Sequence, residues 1–185
     1  MKLCWVTNQK KYSKLFRYLF NEDASHMGII FNINGIDLVI DLNRPYGTLW
    51  DLNYWQHRYT IVRYMEVKLS EEEELWLFKS CKGYAVLRKY DMSGYFYGMV
   101  CGILNKILGV PLPDENKWSD GSGSMCQQIV IPLMSHPVIK NKISNLELIQ
   151  NTAAKSPKAI QNSLEIITKD NEHVIWYENM SWWPI

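Results

Sequence analysis

The sequence is short of the features that place a protein quickly. It has four cysteines, Cys4, Cys81, Cys101 and Cys126, with no C-x-x-C pair among them, so a disulfide framework is not expected. Its four histidines, His26, His57, His136 and His173, show neither H-x-x-x-H nor Cys/His ligand spacing, and no metal site is expected either. A Walker-type glycine loop and a G-x-G-x-x-G turn are both missing, so no cofactor is expected. An excess of one charge is lacking too. Twenty Lys and Arg face nineteen Asp and Glu, a net charge of +1, whereas nucleic-acid binding runs on phosphate neutralisation by a basic surface. No apolar run reaches membrane-spanning length, and Met1-Lys2-Leu3-Cys4-Trp5-Val6-Thr7-Asn8 turns polar too early for a signal-peptide core. The expectation is a cytosolic or virion-borne protein with reduced thiols and no stable membrane insertion. A basic face for interfacial membrane binding is not visible in the sequence.

What is present is an ordinary globular composition, 47% hydrophobic, with eight Trp and eleven Tyr. A chain of 185 residues fits one domain, 1–185, large enough to bury roughly 70% of the surface its unfolded form exposes. Residues 2–7 read as a strand and 11–20 as a helix through Leu15, Tyr18 and Leu19. Residues 26–31 and 36–42 read as strands flanking the turn signal Asn34-Gly35, and Arg44-Pro45-Tyr46-Gly47 breaks the second of them. A strand at 59–64 precedes a capped helix start at Ser70, where Glu73 completes a capping box. Residues 90–110 read as a largely buried helix, 119–124 as a flexible approach to Cys126, and Ser156-Pro157 as another helix start. A last strand is expected near 174–177. The class is α+β, an antiparallel sheet packed against helices, with a core over about 2–168 and an aromatic tail at 169–185.

Chemistry concentrates in two residues a hundred positions apart. Cys126 opens the apolar run Met125-Cys126-Gln127-Gln128-Ile129-Val130. A thiol at a helix N-terminus feels the positive end of the macrodipole, and an adjacent imidazolium adds to that pull toward thiolate. Backbone N–H groups freed by the Gly/Ser loop offer an oxyanion hole at the same point. Read alone, Cys126 is better explained as a small core residue, and Cys4, Cys81 and Cys101 read as core. His26 opens the strand His26-Met27-Gly28-Ile29-Ile30-Phe31, and a lone strand histidine is usually structural. Hairpin register raises its standing. With a two-residue Asn34-Gly35 turn, Gly28 faces Asp41 and His26 faces Asn43; a slip by two sets Asp41 directly opposite His26. Either way Asp41 shares the face of His26, within about 5–8 Å, where a carboxylate fixes the imidazole tautomer. Asn43 is the fallback orienter, and Asp37 lies too near the turn. His57, in Tyr54-Trp55-Gln56-His57-Arg58, reads as part of a surface turn or short helix.

The order of these features resembles the circularly permuted branch of NlpC-type, papain-like cysteine hydrolases, which includes the lecithin:retinol acyltransferase-like proteins. Ser25-His26-Met27-Gly28-Ile29-Ile30 stands where that branch shows Ser/Thr-His-Val-Gly-Ile-Val, and Val39-Ile40-Asp41-Leu42 where it shows Val-Leu-Glu-Ala. Val62-Arg63, Leu69-Ser70-Glu71-Glu72, Tyr90-Asp91, Cys126-Gln127-Gln128-Ile129-Val130 and Ser156-Pro157 follow in the branch's order. Gln127-Gln128 departs from the Ser-Glu that follows the nucleophile there, and the Gly expected before Tyr90-Asp91 is missing at its usual spacing. The resemblance implies a permuted papain-like fold with the nucleophile at a helix N-terminus. It implies Cys126 as nucleophile, His26 as general base and acid, Asp41 as orienter and Tyr90 beside the oxyanion.

The function this implies is cleavage of an amide bond, peptide or peptidoglycan-type, through an acyl-enzyme. The alternatives are a lipid acyltransferase or thioesterase on the same triad, and a non-catalytic binding module on this scaffold. The expected partner is a peptide, a peptidoglycan fragment or an acyl lipid. An aromatic-lined apolar pocket would favour the lipid, and the stretch 90–104 would wall such a pocket unless it is core.

Overall fold

Two-residue alternation in the strands sorts this chain into two unequal layers. The computed structural model describes residues 1–86, 88–113, 117–118, 124–149 and 156–178. The strands are β1 (Lys2–Thr7), β2 (His26–Ile33), β3 (Ile36–Leu42), β4 (Gly47–Asp51), β5 (Thr60–Val67) and β6 (Val174–Glu178). They form one six-stranded sheet in the order β4-β3-β2-β1-β5-β6, antiparallel at every pairing. The helices are α1 (Lys11–Phe20), α2 (Leu52–Gln56), α3 (Glu71–Ala85), α4 (Met92–Leu108), α5 (Val130–Ser135), α6 (Pro137–Lys142) and α7 (Pro157–Thr168). The class is therefore α+β, as the sequence pattern implies.

Leu3 and Trp5 of β1, Met27, Ile29 and Phe31 of β2, and Ile40 and Leu42 of β3 point to one face. There they are buried with Leu77 of α3, Leu133 of α5, Ile139 of α6 and Leu164 of α7. The intervening residues Cys4, Val6, Ile30 and Val39 face the other way, into a smaller cluster closed by Trp55 and Tyr59. His26 and Gly28 have the parity of Ile30, and Asp41 has that of Val39. The same alternation that builds the large core thus delivers the candidate residues to the opposite face.

The β2–β3 hairpin takes the two-residue register. Asn34 and Gly35 both have positive φ, 53° and 80°, as the primed turn requires, and Ile33 pairs with Ile36 and Gly28 with Asp41. The helix starts are also as expected. Ser70 Oγ accepts from Glu73 N at 3.2 Å while Glu73 Oε2 accepts from Ser70 N at 2.8 Å. Ser156 Oγ accepts from Ala159 N at 3.3 Å.

Three expectations need correction. The break at residues 44–47 leads into an additional edge strand, β4, seated by Gly47 N donating to Arg88 O at 2.9 Å. The helix at 90–110 exists as α4 but is not largely buried: only Gly94 and Gly102 are, while Phe96, Val100, Ile103, Leu104 and Ile107 stand exposed. It packs on α1 from one side, where a Cβ on Gly102 would come within 2.9 Å of Phe20, and its apolar residues spread past that narrow contact. The core also does not stop near 168, because β6 completes the sheet and Trp176 packs on Trp5 with ring centroids 5.4 Å apart. The rest of the aromatic tail, 179–185, lies outside the described residues, as does most of the 119–124 approach.

Two glycines make opposite predictions. A Cβ on Gly47 would lie 2.0 Å from the Ala85 carbonyl oxygen, whereas one on Gly83, within α3, meets nothing inside 4 Å. Gly47→Ala is expected to cost about 3 kcal/mol or more by overpacking against backbone, and Gly83→Ala to gain about 1 kcal/mol of helix propensity. Urea denaturation midpoints of the two variants check both signs.

Candidate active site

The site grows from the first residue of β2. His26 is buried and its Nε2 is hydrogen-bonded to Oδ1 of Asp41, the residue that pairs across the hairpin with Gly28, two residues along. Nε2 being committed, Nδ1 is the nitrogen left to serve a thiol. Asp41 is fully buried, and its other oxygen, Oδ2, accepts from Trp55 Nε1 at 2.9 Å. The carboxylate is therefore bracketed by two ring donors. Of the two residues the hairpin register offers to His26, Asp41 is the one hydrogen-bonded to it, and Asn43 is not. Asn43 Nδ2 instead donates to the Tyr59 hydroxyl at 2.5 Å, and Tyr59 stacks on the His26 ring with centroids 5.0 Å apart and planes 16° from parallel.

Trp55 reaches Asp41 because α2 folds back over the hairpin. Asp51 caps α2 by accepting from Asn53 N at 2.9 Å and Tyr54 N at 3.4 Å. Gly28, opposite Asp41, leaves the slot for the indole, since a Cβ there would sit 2.9 Å from Trp55 Cζ2. The segment read as a surface turn around His57 thus contributes its most buried residue to the site. The signal was present in the spacing of Leu52, Trp55 and Tyr59, all buried and three to four residues apart.

Cys126 comes to this corner by another route. It begins a 3-10 turn, Cys126–Ile129, that runs directly into α5 and packs against β2 and β3. Its approach is fixed by single-residue bridges: Tyr90 N donates to Pro45 O at 3.0 Å, Ser124 N to Lys89 O at 2.9 Å, and Asp91 N to Ser124 O at 3.2 Å. These bonds hold Tyr90 beside Cys126, and both line one cavity. Gln127 and Gln128 each have a local task. Gln128 Oε1 accepts from Met125 N at 2.8 Å, capping the turn, and Gln127 Oε1 lies 3.5 Å from the Cys126 sulfur.

Electrostatics agree with this geometry. Burial alone lowers the pKa of His26, but the electrostatic pull of its acidic neighbours, Asp41 first, outweighs it and holds the imidazole well above its ordinary 6.5. Burial raises Tyr90 well above the ordinary tyrosine value, with Cys126 adding to the shift and Arg44 opposing it. Arg44 was missed in the sequence. Its guanidinium lies over the Tyr12, Tyr95 and Tyr90 rings at 4.8, 4.6 and 5.8 Å, a cation packed among three aromatic faces at the edge of the site.

The cavity at Cys126 holds about 280 Å³ and is walled mainly by Phe16, Phe20, Tyr97, Leu112 and Pro113. Cys101, read from sequence as core, is only half-buried and lines this cavity too. Cys4 and Cys81 are core residues: burial drives the Cys4 thiol far up and the Cys81 thiol to about 12. Among the described residues no three His, Cys, Asp or Glu side chains group as metal ligands, and no helix is long and apolar enough to cross a membrane.

No protein-family model matches the chain. No curated protein matches its sequence. Its fold is similar to that in the crystal structure of metalloprotein yiiX from Escherichia coli O157:H7, DUF1105, with a TM-score of 0.48 and 17% identity over 99% of this chain and 97% of that one.

Two measurements probe the bracketed carboxylate. Trp55→Phe strips one donor from a buried oxygen and is expected to cost about 1–3 kcal/mol in urea unfolding. The raised His26 pKa predicts stability that is fully present below the unfolded value near 6.5 and lost as pH rises through the higher folded value. The stability difference between wild type and His26→Gln should accordingly shrink on titration from pH 6 toward alkaline pH, as followed by denaturant midpoints.

Proposed function

We propose that the chain is a cysteine hydrolase of permuted papain-like arrangement, acting by acyl transfer. What carries this reading is one juxtaposition: an imidazole tied by Nε2 to a buried carboxylate, with a thiol at the start of a helical turn on the same corner. The order His26, Asp41, Cys126 along the chain matches the order implied by the sequence resemblance.

In this mechanism Cys126 attacks the carbonyl carbon and His26 carries the proton to the leaving group. Water, deprotonated by His26, then releases the acyl group from sulfur. Asp41 steadies the imidazolium between these steps. The Tyr90 hydroxyl, held neutral by its high pKa, serves as a donor beside the developing oxyanion. The leading substrate class is an amide of peptide or peptidoglycan type. The apolar wall of the cavity supports a second reading, hydrolysis or transfer of a lipid ester or acyl thioester.

At pH 7, iodoacetamide should modify Cys126 on the order of tenfold faster than Cys4 or Cys81, and His26→Ala should remove most of that advantage. Peptide mapping by mass spectrometry separates Cys126 from Cys101. With muropeptides and acyl thioesters as substrates, Cys126→Ala should abolish turnover and His26→Ala should reduce it by about 100-fold or more. Binding of these compounds without any acyl adduct on Cys126 would instead identify a non-catalytic module.

A further inference from the structure

The Cys126 cavity contains one carboxyl group that the mechanism does not use. Glu22 lies between α1 and β2, is 8% exposed, and lines the same cavity as Cys126 and Phe20. Its Oε2 is buried and has no hydrogen-bond partner. The Ser156 hydroxyl and the Lys158 backbone N–H, at the start of α7, act on the carboxyl without closing a bond on that oxygen. Two charged neighbours act on the carboxyl from outside the cavity lining. Asp23 is paired with Arg63, and the Lys158 ammonium donates to the Asn21 carbonyl at 3.3 Å. A buried carboxyl with one oxygen left without a donor is costly, and a cation held against that carboxyl from the cavity offsets the cost.

The surroundings say what that donor looks like. The aromatic and aliphatic wall suits a chain of methylenes, and Glu22 is the carboxyl among the described lining residues, with no Lys or Arg among them to neutralise it. An alkyl group ending in a cation satisfies both requirements, and a plain hydrocarbon satisfies only the first. We propose that Glu22 is the specificity-determining residue of this cavity and that its carboxyl, where it lines the cavity, receives an alkylammonium group of the substrate. The inference rests on reading the cavity as the substrate site. It favours an amide substrate bearing an aliphatic amine over a simple fatty-acyl one.

Burial raises the Glu22 pKa to about 7, with Ser156 and Lys158 opposing and Asp23 adding to the rise. The carboxyl is therefore neutral below that pH and anionic above it. Preference for a cation is expected to strengthen as pH rises through about 7.

The test needs no chemistry at sulfur. Binding of n-hexylammonium and of 1-hexanol to the intact protein is measured by isothermal titration calorimetry at pH 6 and pH 8. At pH 8 wild type should bind the ammonium on the order of tenfold tighter than the alcohol. Glu22→Gln should erase that preference, Glu22→Asp should keep most of it, and the wild-type preference should weaken at pH 6. Cys126→Ala should show the wild-type preference, so a failure of the hydrolase reading leaves this result standing. Equal affinity for the two probes, a preference that survives Glu22→Gln, or no binding of either would overturn the proposal. A purely structural Glu22 would show itself as a lower melting temperature in Glu22→Gln with unchanged selectivity, which also overturns it.

Discussion

The Asp41 carboxylate is the interaction on which the rest of the site depends. It is fully buried, and a bare charge in that position would cost several kcal/mol. Two ring N–H donors, from His26 and Trp55, reach its two oxygens from opposite elements, β2 and α2. Each also fixes something else. The first sets the tautomer and orientation of the imidazole, and the second anchors α2 and with it Tyr59, which stacks on that imidazole. The smaller face of the sheet is thus a polar nucleus wrapped in aromatic rings, and Gly28 is the vacancy that lets the wrapping close.

A division of labour follows across the sheet. Its large face, with α3, α5, α6 and α7, supplies the bulk of the apolar burial and hence most of the stability. Its small face and the end of the sheet where β2 begins hold the titratable groups, where Arg44, Tyr90 and Tyr95 pack together. Stabilising burial on one side allows an expensive arrangement of charges on the other.

Local signals carried much of this. Asn34-Gly35 with strict alternation on either side dictates the hairpin, and through it the shared parity of His26 and Asp41. Ser70-x-x-Glu73 and Ser156-Pro157 likewise dictate where α3 and α7 begin. What escaped the sequence depends on tertiary folding. Trp55 is buried only because α2 turns back onto the hairpin, and Arg44 matters only because Tyr12 of α1 meets Tyr90 and Tyr95 from around the start of α4. The exposure of α4 was misjudged for a related reason, since an apolar composition does not reveal how narrow a neighbour's contact will be. Glu22 carried no motif at all. Its cavity is assembled from α1, α4, the Cys126 turn and the start of α7.

The bridges at Tyr90 and Ser124 also have a meaning in time. His26 and Asp41 are fifteen residues apart and joined by a tight hairpin, so their pairing closes a short loop. Cys126 joins them across a hundred residues and through a few isolated backbone bonds, contacts of the kind that topology makes slow. A chain emerging from synthesis thus orders the His26–Asp41 pair before Cys126 has a place to dock. The juxtaposition of Cys126 with His26 is therefore a property of the finished fold and not of the hairpin alone.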